Sequence, residues 1–542
     1  MARITHRGEP PPWRPAGTSA SHLSRRLLIL GAGAASVTAI GLVASRFVPD
    51  PPATPRPSAA ATAAPVARQP VPTATMTAIT QPPAAAGTLP EIEAATPSAP
   101  RSLTEIPPGI ALVTSPRLPL HAIAAEQALP LIRGAIANWR EVGAPFAIPV
   151  DIVAIAGAVP PGIRPEATFT DYDAMADEMA VRPGAVALVP LELVDFRTSV
   201  LSLGQDDPLR RDPAGGEPTV RIGVVGDIVP GRNVHAHMVR YGDFTRPFAK
   251  VATHLRDYDL TVANLEGNLS DQLGQSPDPH STSFVSSTQM IAGFQLAGID
   301  AVSLANNHSV YNNEGWGVQG LLDTIAALDA GGIGYFGAGA TLARAREPWA
   351  VEVNGLRVAF LGIDGVTANN EVEAGIQTGV VEFDAAATES GPGTNPYASS
   401  QFIPDISTAS ESADIVIPYF HMGAEYVAVP TRWAANGARA AADAGASVVV
   451  TNHPHVIQGM EVFNGRPIIY SLGNFILDQM WSVEVRSGYI LELIARRDRV
   501  LRVRCHPIEI EEFHQPRLMT TGESANLMNR FWASTDRIAG RV

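Results

Sequence analysis

The sequence predicts an α/β fold, and three observations carry that expectation. Short β-branched runs alternate with stretches of helical spacing from about residue 220 to 515. Two Asn-Gly dipeptides, Asn354-Gly355 and Asn464-Gly465, sit between apolar runs as hairpin turns. Five of the strand-like runs end in side chains able to hold a metal ion, and open α/β sheets gather their sites at that edge.

At 542 residues the chain is expected to hold more than one domain, and 46% hydrophobic residues support a large core. A net charge of -14 argues against a nucleic-acid partner. Lys250 is the sole lysine, which excludes a P-loop, since that motif needs a lysine after its glycines. The single cysteine, Cys505, excludes an internal disulfide and a cysteine-based zinc site. It lies in a strand-like segment and reads as core.

In residues 1–48, Ser24-Arg25-Arg26-Leu27-Leu28 precedes an apolar, Gly/Ala-rich run ending near Ser45. The pattern resembles a twin-arginine export signal. Left uncleaved, the run would serve as a membrane anchor with both arginines cytoplasmic. Either way the remainder is expected to be exported, as a membrane-anchored or extracellular protein. Residues 49–106 are dominated by Pro, Ala and Thr and cannot bury a core, so they read as a disordered spacer. Residues 107–206 read as a small α/β domain with strands at Ile110–Val113, Val150–Ile155 and Ala185–Val189 and a helix at Ala125–Ile136. Two stretches there, Ile132–Arg140 and Pro183–Pro190, resemble the phosphate-binding branch of periplasmic solute-binding proteins. The segment is too short for the two lobes such a binder needs. A linker covers 207–219.

Residues 220–515 read as the main domain. Strands are expected at Ile222–Val225, Leu260–Ala263, Ala301–Leu304, Ile415–Phe420, Ser447–Thr451, Gly488–Ala495 and Leu501–Pro507. Helices fit Pro247–Arg256, Met290–Ala297, Trp316–Ala330 and Trp433–Ala444. Residues 365–411, rich in Gly, Asn, Thr and Ser, read as an irregular insertion and a lid candidate. The tail 516–542 reads as a loop and one surface helix.

The strand-end residues are Asp227, Glu266, Asn307 with His308, His421, and His453 with His455. His453 and His455 are spaced i, i+2, which on an extended backbone would put both rings on one side. Two carboxylates, an amide and several imidazoles, with no thiolate, suit Mn, Fe or Zn. Glu266 could bridge two ions, as carboxylates do in two-metal hydrolytic sites. His308 is placed to donate a proton to a leaving group, and Arg232, on the first loop, to grip an anionic substrate.

Six ordered blocks carry a family resemblance: Gly226-Asp227-Ile-Val-Pro-Gly231-Arg232, Asn264-Leu265-Glu266-Gly267, Ala305-Asn306-Asn307-His308, His421-Met-Gly-Ala-Glu425-Tyr426, His453-Pro454-His455-Val456 and Tyr470-Ser-Leu-Gly-Asn474-Phe475. Over residues 220–510 the chain resembles the CapA (PgsA) family of capsule and poly-γ-glutamate biosynthesis proteins, itself similar to calcineurin-type metallophosphoesterases. That resemblance implies a four-layer αββα sandwich and one or two divalent ions. It implies that Asp227 and His455 hold the first ion, that Asn307, His421 and His453 hold the second, that Glu266 bridges, and that His308 donates the proton. Three positions depart from the pattern. Asp227 is followed by Ile228 and Val229 where calcineurin-type enzymes have Asp-x-His, Tyr311 replaces a frequent acidic residue, and Asn452 replaces a frequent histidine.

Three functional readings are open at this point: an exported protein of anionic-polymer synthesis, a secreted metal-dependent phosphoesterase acting on a small or lipid-linked phosphate ester, and a non-enzymatic ligand- or polymer-binding protein. No ATP-binding signature is visible, so ATP-dependent ligation would fall to partners such as membrane-embedded polymer synthase subunits.

Overall fold

The computed structural model describes residues 105–210, 217–274, 278, 281–310, 317–369 and 385–541. The export signal, and the spacer up to residue 104, lie outside them. No helix among the described residues is long and apolar enough to cross a membrane.

The N-terminal sheet has five strands in the order Ala167–Phe169, Asp151–Ile155, Ala185–Pro190, Ile110–Thr114 and Ser199–Val200. The helix expected over 125–136 is shorter: a 3₁₀ turn at Ala125–Gln127 and a helix at Ala128–Ile132. Gly134, at φ +76°, turns the chain away just after it. A helix at Tyr172–Met179 was not expected from the sequence. Asp171 caps it by accepting from the Ala174 N–H at 2.9 Å. This small domain shares a core with the main domain, because Val113 and Met175 cluster with Ile494 and Leu501.

The main domain begins with β1 (Val220–Ile228), α1 (Arg232–Tyr241), β2 (Leu260–Leu265), α2 (Ile291–Ala297), β3 (Ala301–Ser303), α3 (Gly317–Gly331) and β4 (Gly334–Phe336). It continues with β5 (Trp349–Val353), β6 (Leu356–Asn369), α4 (Ser399–Ser412), β7 (Ile415–His421), α5 (Arg432–Asp443) and β8 (Val449–Asn452). It ends with β9 (Met460–Phe463), β10 (Arg466–Ile469), β11 (Asn474–Ile476), β12 (Ser487–Arg496), β13 (Arg499–Glu511), β14 (Gln515–Leu518) and α6 (Thr521–Ile538).

One sheet runs β4-β3-β2-β1-β12-β13-β14, with β11 added beside β1; the other runs β5-β6-β7-β8-β10-β9. Alternation along the strands sorts their side chains into layers. Ile222, Val224 and Leu491 of the first sheet meet Val358, Ile417 and Val450 of the second in one central core. The opposite face of the first sheet, with Val225, Ile228 and Val302, packs on α1, α2 and α3 through Met238, Phe294 and Leu321. The opposite face of the second, with Leu361 and Phe420, packs on α4 and α5 through Phe402, Ile406 and Ala438. The result is a four-layer αββα sandwich. Both Asn-Gly dipeptides make their hairpins, with Asn354 and Asn464 at positive φ.

Several expectations are corrected. The helix expected over 247–256 is broken into a 3₁₀ turn at Arg246–Phe248 and a short helix at Ala252–Leu255. The insertion is not irregular throughout. Its last part is α4, whose buried Phe402, Ile406 and Ala409 recur at helical spacing amid polar residues; residues 370–384 lie outside the described set. The C-terminal tail is an integral part of the sandwich. Gln515–Leu518 extends the sheet as β14, and α6 buries Leu527 and Phe531 in the central core.

Candidate metal centre

The C-terminal ends of β1, β2, β3, β7 and β8 bring the expected ligands together. Asp227 was expected just past its strand. It lies inside β1 instead, because the pairing of β1 with β2 slips by one residue between Val224 and Asp227. That bulge re-aims Asp227 next to Asn264, whose Nδ2 donates to Asp227 Oδ1 at 2.7 Å. Gly226 is required at the bulge, since a Cβ there would stand 2.0 Å from the Gly473 carbonyl oxygen. Below the site the Tyr419 hydroxyl donates across the sandwich to the Val225 carbonyl at 3.2 Å.

His453 and His455 do face the site together, but not through strand alternation. Both follow the end of β8 with left-handed backbones, at φ +105° and +56°. Such conformations are costly for a residue with a Cβ and cluster at functional sites.

Two sets of ligand atoms result, Glu266–His421–His453 and Asp227–Glu266–His455, each within 4.8 Å. Glu266 belongs to both, as a bridging residue must. Its Oε1 lies 3.6 Å from Nε2 of His421 and 3.6 Å from Nε2 of His455. Asn307 Oδ1 lies 2.8 Å from His421 Nε2, and His453 Nδ1 lies 3.2 Å from the same atom. His455 Nδ1 sits 2.8 Å from Asn474 Oδ1 and 3.4 Å from Asp227 Oδ2. Asn264 and Asn474 were not singled out as site residues, although both stand inside the quoted motifs. Asn306 Nδ2 braces the site by donating to Asn264 Oδ1 at 3.1 Å and to the Leu265 carbonyl at 2.8 Å.

The electrostatics are those of a site built around positive charge. Both oxygens of Glu266 and Oδ2 of Asp227 are buried without a hydrogen-bond partner. A buried, unsatisfied carboxylate is costly, and a divalent cation is its natural complement, so these residues fit a metal. Burial, opposed by His455 but helped by the Asp227 charge, raises the Glu266 pKa. Burial opposes charge on Asp227 as well, yet His455 and His421 hold its carboxyl below the usual range. Burial likewise disfavours the His455 imidazolium, but Glu266 and Asp227 outweigh it and hold its pKa at about 10. Burial and the neighbouring His421 hold His453 well below the usual imidazole value.

His308 stacks on Phe284 at 4.0 Å, and its Nε2 is 3.9 Å from Glu266 Oε1. Burial, with His455, His421 and Arg232, lowers its pKa to about 3. Its Nδ1 lies 3.2 Å from the Thr282 carbonyl. A carbonyl only accepts, so Nδ1 carries the proton and Nε2 presents a lone pair toward the cluster. Arg232, expected on a loop as an anion grip, is the first residue of α1. It is buried, ion-paired with Asp478 and placed over Phe284 at 4.5 Å. Its guanidinium supports the ring behind His308.

The mouth holds two aromatic residues that the sequence reading did not assign to the site. Tyr426 is 41% exposed and Trp481 62% exposed, and their rings meet edge to face at 5.2 Å. Tyr426 is held at φ +61° by its N–H to the Pro454 carbonyl at 2.7 Å, with its ring 6.2 Å from that of His455.

A family model described as bacterial capsule synthesis protein PGA_cap matches residues 221–479. A PGA biosynthesis protein CapA of Bacillus subtilis is 31% identical over 289 residues, 53% of this chain and 71% of the relative. A capsule biosynthesis protein CapA of Bacillus anthracis is 29% identical over 314 residues, 57% of this chain and 71% of the relative. Among solved structures, a 5'-nucleotidase from Candida albicans aligns with a TM-score of 0.30 at 13% identity, over 60% of each chain.

Proposed function

The chain belongs to the bacterial capsule synthesis protein (PGA_cap) family, and on that premise we propose that it is an exported protein of capsule or poly-γ-glutamate biosynthesis with a metal-dependent phosphoesterase site. One observation carries the chemical part: Glu266, buried between two ligand sets, has no hydrogen-bond donor on either carboxylate oxygen. Export rests on the twin-arginine-like segment at Ser24–Leu28.

Asp227, Glu266 and His455 would hold one ion, and Glu266, Asn307, His421 and His453 a second. A divalent ion there supplies Lewis acidity and neutralises charge on a phosphoryl oxygen. The chain's own residues do the rest. Asn264 fixes the orientation of Asp227, and Asn474 that of His455. Phe284, backed by Arg232, sets the ring plane of His308. An anionic phosphoryl group entering beside His308 favours protonation at Nε2 from solvent, and Nε2 then delivers that proton to the departing oxygen as a water molecule bonds to phosphorus and gives up a proton to solvent. Tyr426 and Trp481 offer the leaving group an apolar ledge outside the cluster.

The test is elemental analysis of the full chain purified without chelator, together with turnover of bis(p-nitrophenyl) phosphate. About one or two Mn, Fe or Zn per chain are expected, lost with turnover in His453→Ala while the fold is kept. Absence of metal after reconstitution would overturn the site. Deletion in the host is expected to remove surface polymer, and unchanged polymer would overturn the biosynthetic role.

A further inference from the structure

A cavity of about 960 Å³ lies between residues 116–122 of the N-terminal domain, Val503–Pro507 of β13 and helix α6. Small-molecule sites span about 300–1,000 Å³. None of the metal-cluster residues lines it. Much of its wall is apolar: Leu118, Met460, Met519, Met528 and Trp532. Methionine is unbranched and polarizable, and a wall rich in it reshapes around a flexible chain.

The charges supply the second observation. Arg117 and Arg541 are paired with Asp536, Asp177 with Arg197, Glu461 with Arg439, and His506 with Glu492. Among the described residues, Arg504 is the charged lining side chain without an ion pair. Its Nη2 donates to the Val200 carbonyl at 3.2 Å, and its Nε is buried without a partner. Nδ1 of His121, in the same wall, is also buried and unpartnered. Burial and the adjacent Arg502 guanidinium pull the Arg504 pKa down to about 10, against the pull of Glu492 and Asp207. A cation taken out of water without a counter-ion is unfavourable, and a negatively charged ligand would relieve it.

We propose that this cavity binds an amphiphile carrying a single anionic headgroup, with the headgroup on Arg504 and His121 and the hydrocarbon along the methionine wall. A carboxylate and a phosphate monoester both satisfy that chemistry.

The experiment titrates the full chain with cis-parinaric acid, a fluorescent polyene fatty acid, and with its alcohol. Saturable binding of the acid is expected. Arg504→Gln should weaken the acid about tenfold or more, the value of a charged hydrogen bond, and leave the alcohol unchanged. Because Arg504 lacks a counter-ion, the variant should keep the wild-type melting temperature. Met528→Trp, which fills the cavity, should abolish binding of both probes, and it carries the test if Arg504→Gln does not fold. Competition with palmitate and lysophosphatidate then assigns the headgroup, by whichever displaces the probe at lower concentration. Absence of saturable binding, equal affinity in Arg504→Gln, retained binding in Met528→Trp, or displacement by neither competitor would overturn the proposal.

Discussion

Oε1 of Glu266 lies 3.6 Å from Nε2 of His455, and neither Glu266 oxygen receives a hydrogen bond. A carboxylate so placed destabilises the metal-free fold. Glu266→Gln should therefore melt no lower than wild type when both are metal-free. In wild type, Mn or Zn at a hundredfold over its Kd should add about 2.7 kcal/mol by mass action, and the variant should lose that gain. Thermal melts with and without metal check this, and a full metal-induced rise in Glu266→Gln would refute the bridging role.

His308 faces the cluster through Nε2, 3.9 Å from Glu266 Oε1, and in the proposed mechanism it would meet the leaving group and not the ions. His308→Gln should retain metal and lose about 10²–10⁴-fold in turnover of an alkyl phosphodiester. A p-nitrophenyl ester, whose leaving group needs little protonation, should lose far less. Equal losses on the two esters would remove His308 as the acid.

Tyr426 and Trp481 form a ledge beside the cluster, and Trp481, 62% exposed, buries the less of the two, so its removal should act on binding alone. Trp481→Ala is expected to raise KM severalfold for a bulky ester with kcat and melting temperature unchanged. A matching fall in kcat would place Trp481 in the chemistry instead.

Acid stability is expected to be governed away from the site. Glu492 is buried among His506, Arg502 and Arg221, at 2.7, 3.3 and 2.9 Å. Burial opposes its charge, yet the hydrogen bond to His506 and the Arg502 charge hold its pKa well below the ordinary 4.5. A carboxyl depressed on folding contributes stability that is complete above about pH 4.5 and is lost as pH falls toward the folded value. Glu492→Gln should therefore cost about 3–5 kcal/mol at pH 7, with the gap to wild type closing below pH 4.5 in urea titrations of chelated protein. A pH-independent gap would assign the loss to packing.

Gly226→Ala places a methyl group against the Gly473 carbonyl oxygen at the bulge that aims Asp227. It should destabilise the fold and weaken metal binding together, because Asp227 and β11 cannot both keep their positions. Isothermal titration with Mn on any folded fraction tests this, and wild-type affinity would refute it.

Much of the site was readable along the chain. Each candidate ligand stands at or just past the end of a short strand-like run, and a strand's end is set by local residue chemistry. The helices at Ile291–Ala297, Gly317–Gly331 and Arg432–Asp443 were readable for the same reason, since their apolar spacing is local. Helix α4 was hidden because its buried stripe is set among residues of loop-like composition. The break in the 247–256 helix was hidden too, since periodicity alone did not locate it.

What the sequence alone determined was the set of candidate ligands and the alternation of elements, with one cysteine and one lysine leaving no internal disulfide and no P-loop. The tertiary structure decided the aim of those ligands. A one-residue slip turns Asp227 toward Asn264, and left-handed backbones at His453 and His455 are held by the strands around them. Contact with Asp478 and Phe284 converts Arg232 from a free cation into a support for His308. The cavity beside Arg504 exists only because the N-terminal domain and α6 close over the edge of β13. These are relations between residues far apart in the chain, and the backbone strain and desolvated charge they involve are sustained only by the assembled fold.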